Sequence, residues 1–215
     1  LAKPKTETVA TFSIAGVDPH TGDLGVAVQS KFFAVGSVVP WAKAGVGAIA
    51  TQSYANVSYG PDGLELLAKG KSARETVETL TSADGNKQRR QLGIVDAKGN
   101  SASFTGSGCH PWAGHIEKPN FCAQGNILTG KEVVDAMASS FEQLQKQAKG
   151  GLCDWLANAL MAGQDAGGEE QRKLGPASVA SAPELAKQDR QDRDLEHRLD
   201  DGPCVARLGP AVAHA

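Results

Sequence analysis

Residues 11–30, TFSIAGVDPHTGDLGVAVQS, place two apolar segments around a cluster of turn formers. Thr11 to Val17 alternates with period two, which sends successive side chains to opposite faces of a strand. Asp18-Pro19-His20-Thr21-Gly22-Asp23 is rich in residues that favour turns. Leu24 to Val28 reads as a second strand, so the two pair as an antiparallel hairpin. Val35 to Val39 and Val46 to Thr51 read as two more strands, joined through Pro40-Trp41. Glycine and alanine leave these strands little bulk. Such strands suit a sheet covered closely on both faces, with helices outside.

Downstream, the period changes. Pro61 to Ala68 is a short helix candidate, and Ser72 with Glu75 forms a capping box ahead of Ala73, Val77 and Leu80 on one face. Arg90 to Asp96 and Ser101 to Thr105 make a hairpin around Ala97 to Asn100, and Phe121 to Gly125 is a further strand. Thr129 and Glu132 form a second capping box before Val133, Met137, Phe141, Leu144 and Ala148, an amphipathic helix ended by Gly150-Gly151. Leu152, Trp155, Leu156, Ala159 and Leu160 give the next helix an apolar face. Strands, helices, strands, helices in that order define a layered α+β pattern with antiparallel sheets. Residues 1–10 form a polar leader, 11–164 the domain, and 165–215 a charged segment with 10 acidic and 7 basic residues, where only Ala177 to Ala180 hints at a strand.

Composition excludes several classes. In 215 residues, 22 Lys+Arg stand against 24 Asp+Glu, so the basic excess of a nucleic-acid binder is missing. Without an apolar run of about 18 residues, no membrane helix is expected. His110 and His115, five apart without a carboxylate at matched spacing, are weak metal ligands, so neither a metal nor another cofactor is expected. Cys109, beside His110, reads as a nucleophile or as a disulfide partner of Cys122, since the two flank one loop. Cys153 reads as a core residue.

The stretch from Thr11 to Leu67, together with RQLGIVDAKGNSASFTG, CHPWAGH and QGNIL, resembles the DUF1028 family. That bacterial family of undefined function is placed in the N-terminal nucleophile (Ntn) hydrolase superfamily. The resemblance implies a four-layer αββα sandwich. Family members carry further apolar strands after Gly167-Gly168, of which residues 177–180 and 192–201 give only an echo.

The resemblance also implies a chemistry. In Ntn hydrolases a Thr, Ser or Cys becomes the first residue, its side chain attacks a carbonyl, and its α-amine, of pKa about 7.7–8.0, takes the proton. Thr11 opens the first strand directly after Ala10, so cleavage between them creates the nucleophile. Ser30 and Lys31 end the second strand beside it. Lys31, or else Lys43, would lower the amine's pKa by charge repulsion. Asn126, after Gly125, is an oxyanion donor or a turn residue. Gln52, Tyr54 and Asn56 line a pocket or satisfy loop backbone, and His115 is a pocket acid or base.

Two functions follow. One is hydrolysis of a small-molecule amide by Thr11 after loss of residues 1–10. The other is a non-catalytic binding or assembly protein that keeps its leader. The superfamily implies a homo-oligomer. A start at Leu1 and a polar leader ending in Ala10 agree with export to the periplasm or beyond rather than a cytoplasmic protein. A Cys109–Cys122 bond would agree with an oxidising compartment.

Overall fold

The computed structural model describes residues 9–168 and 178–181. The opening hairpin forms as its sequence dictates. β1 (Thr11–Val17) and β2 (Leu24–Ser30) pair antiparallel with Thr11 opposite Ser30 and Gly16 opposite Gly25. The turn between them closes through Gly22, whose φ of 78° suits a residue without Cβ.

The chain continues through a helical turn α1 (Val35–Val38), β3 (Pro40–Lys43) and β4 (Gly47–Gln52). Two helices follow, α2 (Tyr59–Ala68) and α3 (Ala73–Ser82), and then β5 (Gln91–Asp96), β6 (Ser101–Thr105), β7 (Gly114–Lys118) and β8 (Phe121–Asn126). α4 (Glu132–Gln147), α5 (Leu152–Asp165) and β9 (Ser178–Ser181) complete the described elements. One sheet runs β7-β8-β1-β2-β9 and the other β3-β4-β5-β6, every pair antiparallel.

Period-two alternation sorts the side chains into three cores. Phe12, Ile14, Ala27, Phe121 and Ala123 face α4 and α5, where Met137, Phe141, Trp155 and Leu160 cover them. Ile49, Leu92, Ile94 and Ala102 face α2 and α3. Ala15, Val17, Val26, Val28, Ala48, Ala50, Val95 and Cys122 fill the space between the sheets. The result is the four-layer αββα sandwich. The paired Gly16 and Gly25 let the helices sit close, since a Cβ on Gly25 would lie 2.9 Å from Leu156 and one on Gly16 3.0 Å from Phe141. No described helix is long and apolar enough to cross a membrane.

Several local expectations change. Val35 to Val39 is not a strand: Val35 and Val39, four apart, both turn into the inter-sheet core from a single helical turn, and Pro40-Trp41 belongs to the strand instead of joining two. The Ser72–Glu75 capping box forms reciprocally, but Thr129 and Glu132 make none. There the helix starts at Glu132 behind Lys131, while the Thr129 amide donates to Gly168 O at 3.2 Å. β7 was not anticipated. Cys109 and Cys122 are both free, which removes their proposed bond. Cys122 is enclosed in the inter-sheet core, where burial pushes its thiol up to about 12, whereas Cys109 donates to Arg90 O at 3.3 Å beyond the start of β5.

Phe141 stands between Phe121, 4.5 Å away centroid to centroid, and Trp155 at 5.8 Å. Phe141→Ala is expected to cost about 3–5 kcal/mol in urea unfolding through lost transfer energy and the cavity left behind. A loss under about 1 kcal/mol would show that this aromatic stack does not hold the helical layer.

Candidate functional site

The inter-sheet space is apolar over most of its length and polar at one end. That end gathers the first residue of β1 and of β5 and the last of β2, β4, β6 and β8: Thr11, Gln91, Ser30, Gln52, Thr105 and Asn126. Alternation points all six inward: five stand two or four residues from an inward apolar neighbour or glycine, and Thr105 follows Ala102 and Phe104, which face the helices. Ser13 and Gln124 lie one step deeper on the same faces.

Buried amides need partners, and here Gln52, Gln91 and Asn126 pair with one another, while Gln124 Oε1 finds none among the described residues. Gln52 Nε2 donates to Thr11 O at 3.2 Å and to Gln91 Oε1 at 2.8 Å, while Gln52 Oε1 accepts from Ser13 Oγ at 2.6 Å. Asn126 Nδ2 donates to Gln91 Oε1 at 3.1 Å and reaches Thr11 O at 3.5 Å. Gln91 Nε2 faces Gly125 O at 2.8 Å, with Thr105 Oγ1 and Gly114 O each at 3.1 Å. Gln124 Nε2 donates to Ala50 O at 3.0 Å. The Thr11 carbonyl is thereby held by Gln52 from the opposite sheet and reached by Asn126 from the neighbouring strand of its own.

The Thr11 hydroxyl has a different partner. Thr11 Oγ1 lies 2.9 Å from Ser30 Oγ. Ser30 Oγ gives its one hydrogen to Ala10 O at 2.8 Å, so the Thr11 hydroxyl donates to Ser30 and keeps its lone pairs. The Phe32 amide adds a donation to Ser30 Oγ at 3.1 Å. Thr11 is 8% exposed and Ala10 3%, so the hydroxyl and the peptide bond before it meet at a nearly closed edge.

The predicted residues divide. Thr11, Ser30, Gln52 and Asn126 come together. Asn126 spends its amide hydrogens on Gln91 and the Thr11 carbonyl, and it is Ser30 that meets Ala10 O. Lys31 follows on the exposed turn beyond Ser30. Lys43 does not come near: its register opposite Gly47, itself opposite Asp96, puts it at the far end of the other sheet.

Tyr54 and Asn56 leave Gln52 for a second network. Arg90 Nε binds Asp84 Oδ2 at 2.8 Å, and Tyr59 OH donates to the same oxygen at 2.9 Å, with Asn56 Nδ2 at 3.4 Å. The Arg90 guanidinium holds the Asp84 carboxyl well below the usual range, and burial first, then Asp84, raises the Tyr59 phenol. Asn56, Tyr59 and Asp84 also border a groove of about 440 Å³ between α2 and α3. His115 sits on β7 with Nδ1 2.8 Å from Thr105 Oγ1. Desolvation lowers its pKa, Arg74 adding to that and Glu117 opposing it. Among the described residues no group of three or more His, Cys, Asp or Glu is arranged to hold a metal.

Ser13, Gln91 and Gln124 were missed. Their signal was polarity at positions where alternation demands an inward apolar residue.

The layered fold with one polar, strand-end cluster defines the class of protein. Residues 11–205 match the model of a family of unknown function, DUF1028, and the chain belongs to that family. Protein SPO2555 from Silicibacter pomeroyi, whose crystal structure carries the same family designation, is 30% identical, with a TM-score of 0.70 over 80% of this chain and 75% of that one. The crystal structure of HslV from Trypanosoma brucei aligns with a TM-score of 0.42 at 12% identity, over 80% of this chain and 98% of that one. No curated protein matches the chain.

Two outcomes test this geometry. Gln91→Leu keeps side-chain volume but strips partners from Gln52, Asn126 and Gly125, so it should lose about 3–5 kcal/mol of stability, read by urea unfolding. A loss under about 1 kcal/mol would deny Gln91 its place as the hub. Asp84 has a depressed folded pKa, so its contribution is complete above the unfolded value, 3.8, and is lost as pH falls through the lower folded one. Melting curves from about pH 6 downward should therefore fall less steeply for Asp84→Asn than for the parent protein. Parallel curves would contradict the Asp84–Arg90 assignment.

Proposed function

We propose that the chain is an Ntn-type hydrolase of a small amide, with Thr11 as its nucleophile after loss of residues 1–10. The observation that carries the reading is the Thr11–Ser30–Ala10 contact. A hydroxyl at the head of a central strand touches the serine whose hydrogen binds the carbonyl oxygen of the preceding peptide bond.

In the uncleaved chain Thr11 Oγ1 adds to the carbonyl carbon of Ala10. Ser30 O–H steadies the oxygen as it gains charge, a role for which a preorganised donor is worth about 10²–10³ in rate. The Ala10–Thr11 C–N bond then breaks, the hydroxyl proton passes to the leaving nitrogen, and an ester links Ala10 to Thr11 Oγ1. Water cleaves that ester, giving an Ala10 carboxylate and a Thr11 with free hydroxyl and free α-amine. The amine now serves as base: it takes the Thr11 hydroxyl proton during attack on a substrate amide and returns it to the departing amine, and water then cleaves the acyl ester left on Thr11 Oγ1, releasing the carboxylic acid and restoring the hydroxyl. Loss of the buried Ala10 vacates the place the substrate carbonyl enters. Gln52 and Asn126, by holding the Thr11 carbonyl, fix the residue while its amine moves protons. They are positioning residues.

The competing reading is a binding or assembly protein that keeps its leader. It draws on one observation, the near-complete burial of a continuous Ala10.

Intact mass and N-terminal sequencing over days of incubation separate the two. The hydrolase reading expects a chain beginning at Thr11, no cleavage for Thr11→Ala, and cleavage slowed about 10²–10³-fold for Ser30→Ala. A parent chain that stays whole under all conditions, with no amidase activity, contradicts it.

A further inference from the structure

The Thr11 end carries a built rim outside the polar cluster. Tyr54 lies two residues beyond Gln52, and its ring lies beneath the Arg89 guanidinium, 3.8 Å from Cζ to the ring centroid. Its hydroxyl is 3.0 Å from His110 Nε2. Its carbonyl accepts from Arg90 Nη1, which ties it to the Asp84 network. Ser53 and Tyr54 both take left-handed backbone, φ 56° and 48°, a turn that these contacts hold in place. His110 joins the other sheet, because its carbonyl accepts from the Ile127 amide, one residue past Asn126, at 3.2 Å. The rim therefore bridges the two residues that reach the Thr11 carbonyl, Gln52 and Asn126.

We propose that Arg89, with His110, binds a carboxylate of the substrate, so that the site takes a small N-acyl amino acid rather than a neutral amide. This rests on the hydrolase reading and names its substrate class. The Arg89 guanidinium, its Cζ 3.8 Å from the Tyr54 ring centroid, is the kind of group that meets a carboxylate with two parallel hydrogen bonds. The loops that frame Tyr54, residues 53–58, 83–90 and 106–113, hold Lys87, Arg89, Arg90 and His110 against one carboxylate, Asp84, and Arg90 binds it. Tyr54 follows by two residues the Gln52 whose amide donates to Thr11 O, so the Arg89 rim stands at the Thr11 end of the inter-sheet space. The opposite flank is apolar. β8 and β2 lie on either side of β1, and beyond Ser30 on β2 come Phe32 and Phe33, 47% and 103% exposed. A substrate lying across Thr11 thus sets its acyl chain toward the phenylalanines and its carboxylate toward Arg89.

Calorimetric titration tests this with three N-acylglycines (acetyl, hexanoyl and phenylacetyl) and their matching N-acylglycinamides. The parent protein should bind at least one acylglycine about tenfold or more tightly than its amide, and Arg89→Ala should remove that preference, with Arg89→Lys retaining part of it. Arg89 is exposed, so an unchanged melting temperature for Arg89→Ala serves as the folding control. If no acylglycine outbinds its amide, or the preference survives Arg89→Ala, the anion site is wrong. Preferential binding without turnover removes the hydrolase reading and leaves the anion site. Equal hydrolysis of both series does the reverse.

Discussion

A primary carboxamide closed between two sheets must find partners for both its ends, and Gln91 finds them on four other strands. Its oxygen accepts from Gln52 on β4 and Asn126 on β8, and its nitrogen faces Gly125 O, Gly114 O and Thr105 Oγ1. Each unpaired buried group would cost about 1–3 kcal/mol, so the two sheets have one register at this end that satisfies them all. Gln52, Thr11 and Asn126 are positioned as a consequence. The apolar remainder of the inter-sheet space brings the sheets together, and the amides decide how they align.

That division explains why chemistry collects at one end. Alanines and valines, with the enclosed Cys122 thiol among them, make most of the space between the sheets apolar. At the polar end the strands of both sheets terminate together, and their loops carry Tyr54, Arg89 and His110 above the first residue of β1. The head of β1 is therefore both rigidly held and next to the surface. A nucleophile needs the first, and a substrate needs the second.

Much of the fold was legible because period-two alternation and capping chemistry are local. The β1–β2 hairpin, the β5–β6 hairpin and the Ser72–Glu75 box follow from neighbouring residues alone. Val35 to Val39 misled because valines four apart satisfy a helical turn as readily as a run of small and β-branched residues suggests a strand. Thr129 and Glu132 had the spacing of a cap but not its backbone, since Lys131 already has helical φ and ψ. The site was half legible. Thr11, Ser30, Gln52 and Asn126 stood out as polar residues at strand ends, but Gln91 and Gln124 gain meaning only once parity shows that they face the other sheet. The disulfide suggested by Cys109 and Cys122 failed because nearness along a loop says nothing of which layer each thiol enters.

The central claim is that Thr11, alone among the hydroxyls of this end, is reactive toward acyl groups. Ser13, Ser30 and Thr105 are bound into the same network, so reactivity cannot be assigned by proximity. Treatment with a β-lactone, followed by peptide mapping, addresses this directly, because ring opening leaves an ester on whichever hydroxyl attacked. The account predicts one adduct, on the side chain of a peptide whose first residue is Thr11. An adduct on Ser30 or another residue, or none while Ala10 and Thr11 remain joined, would contradict it.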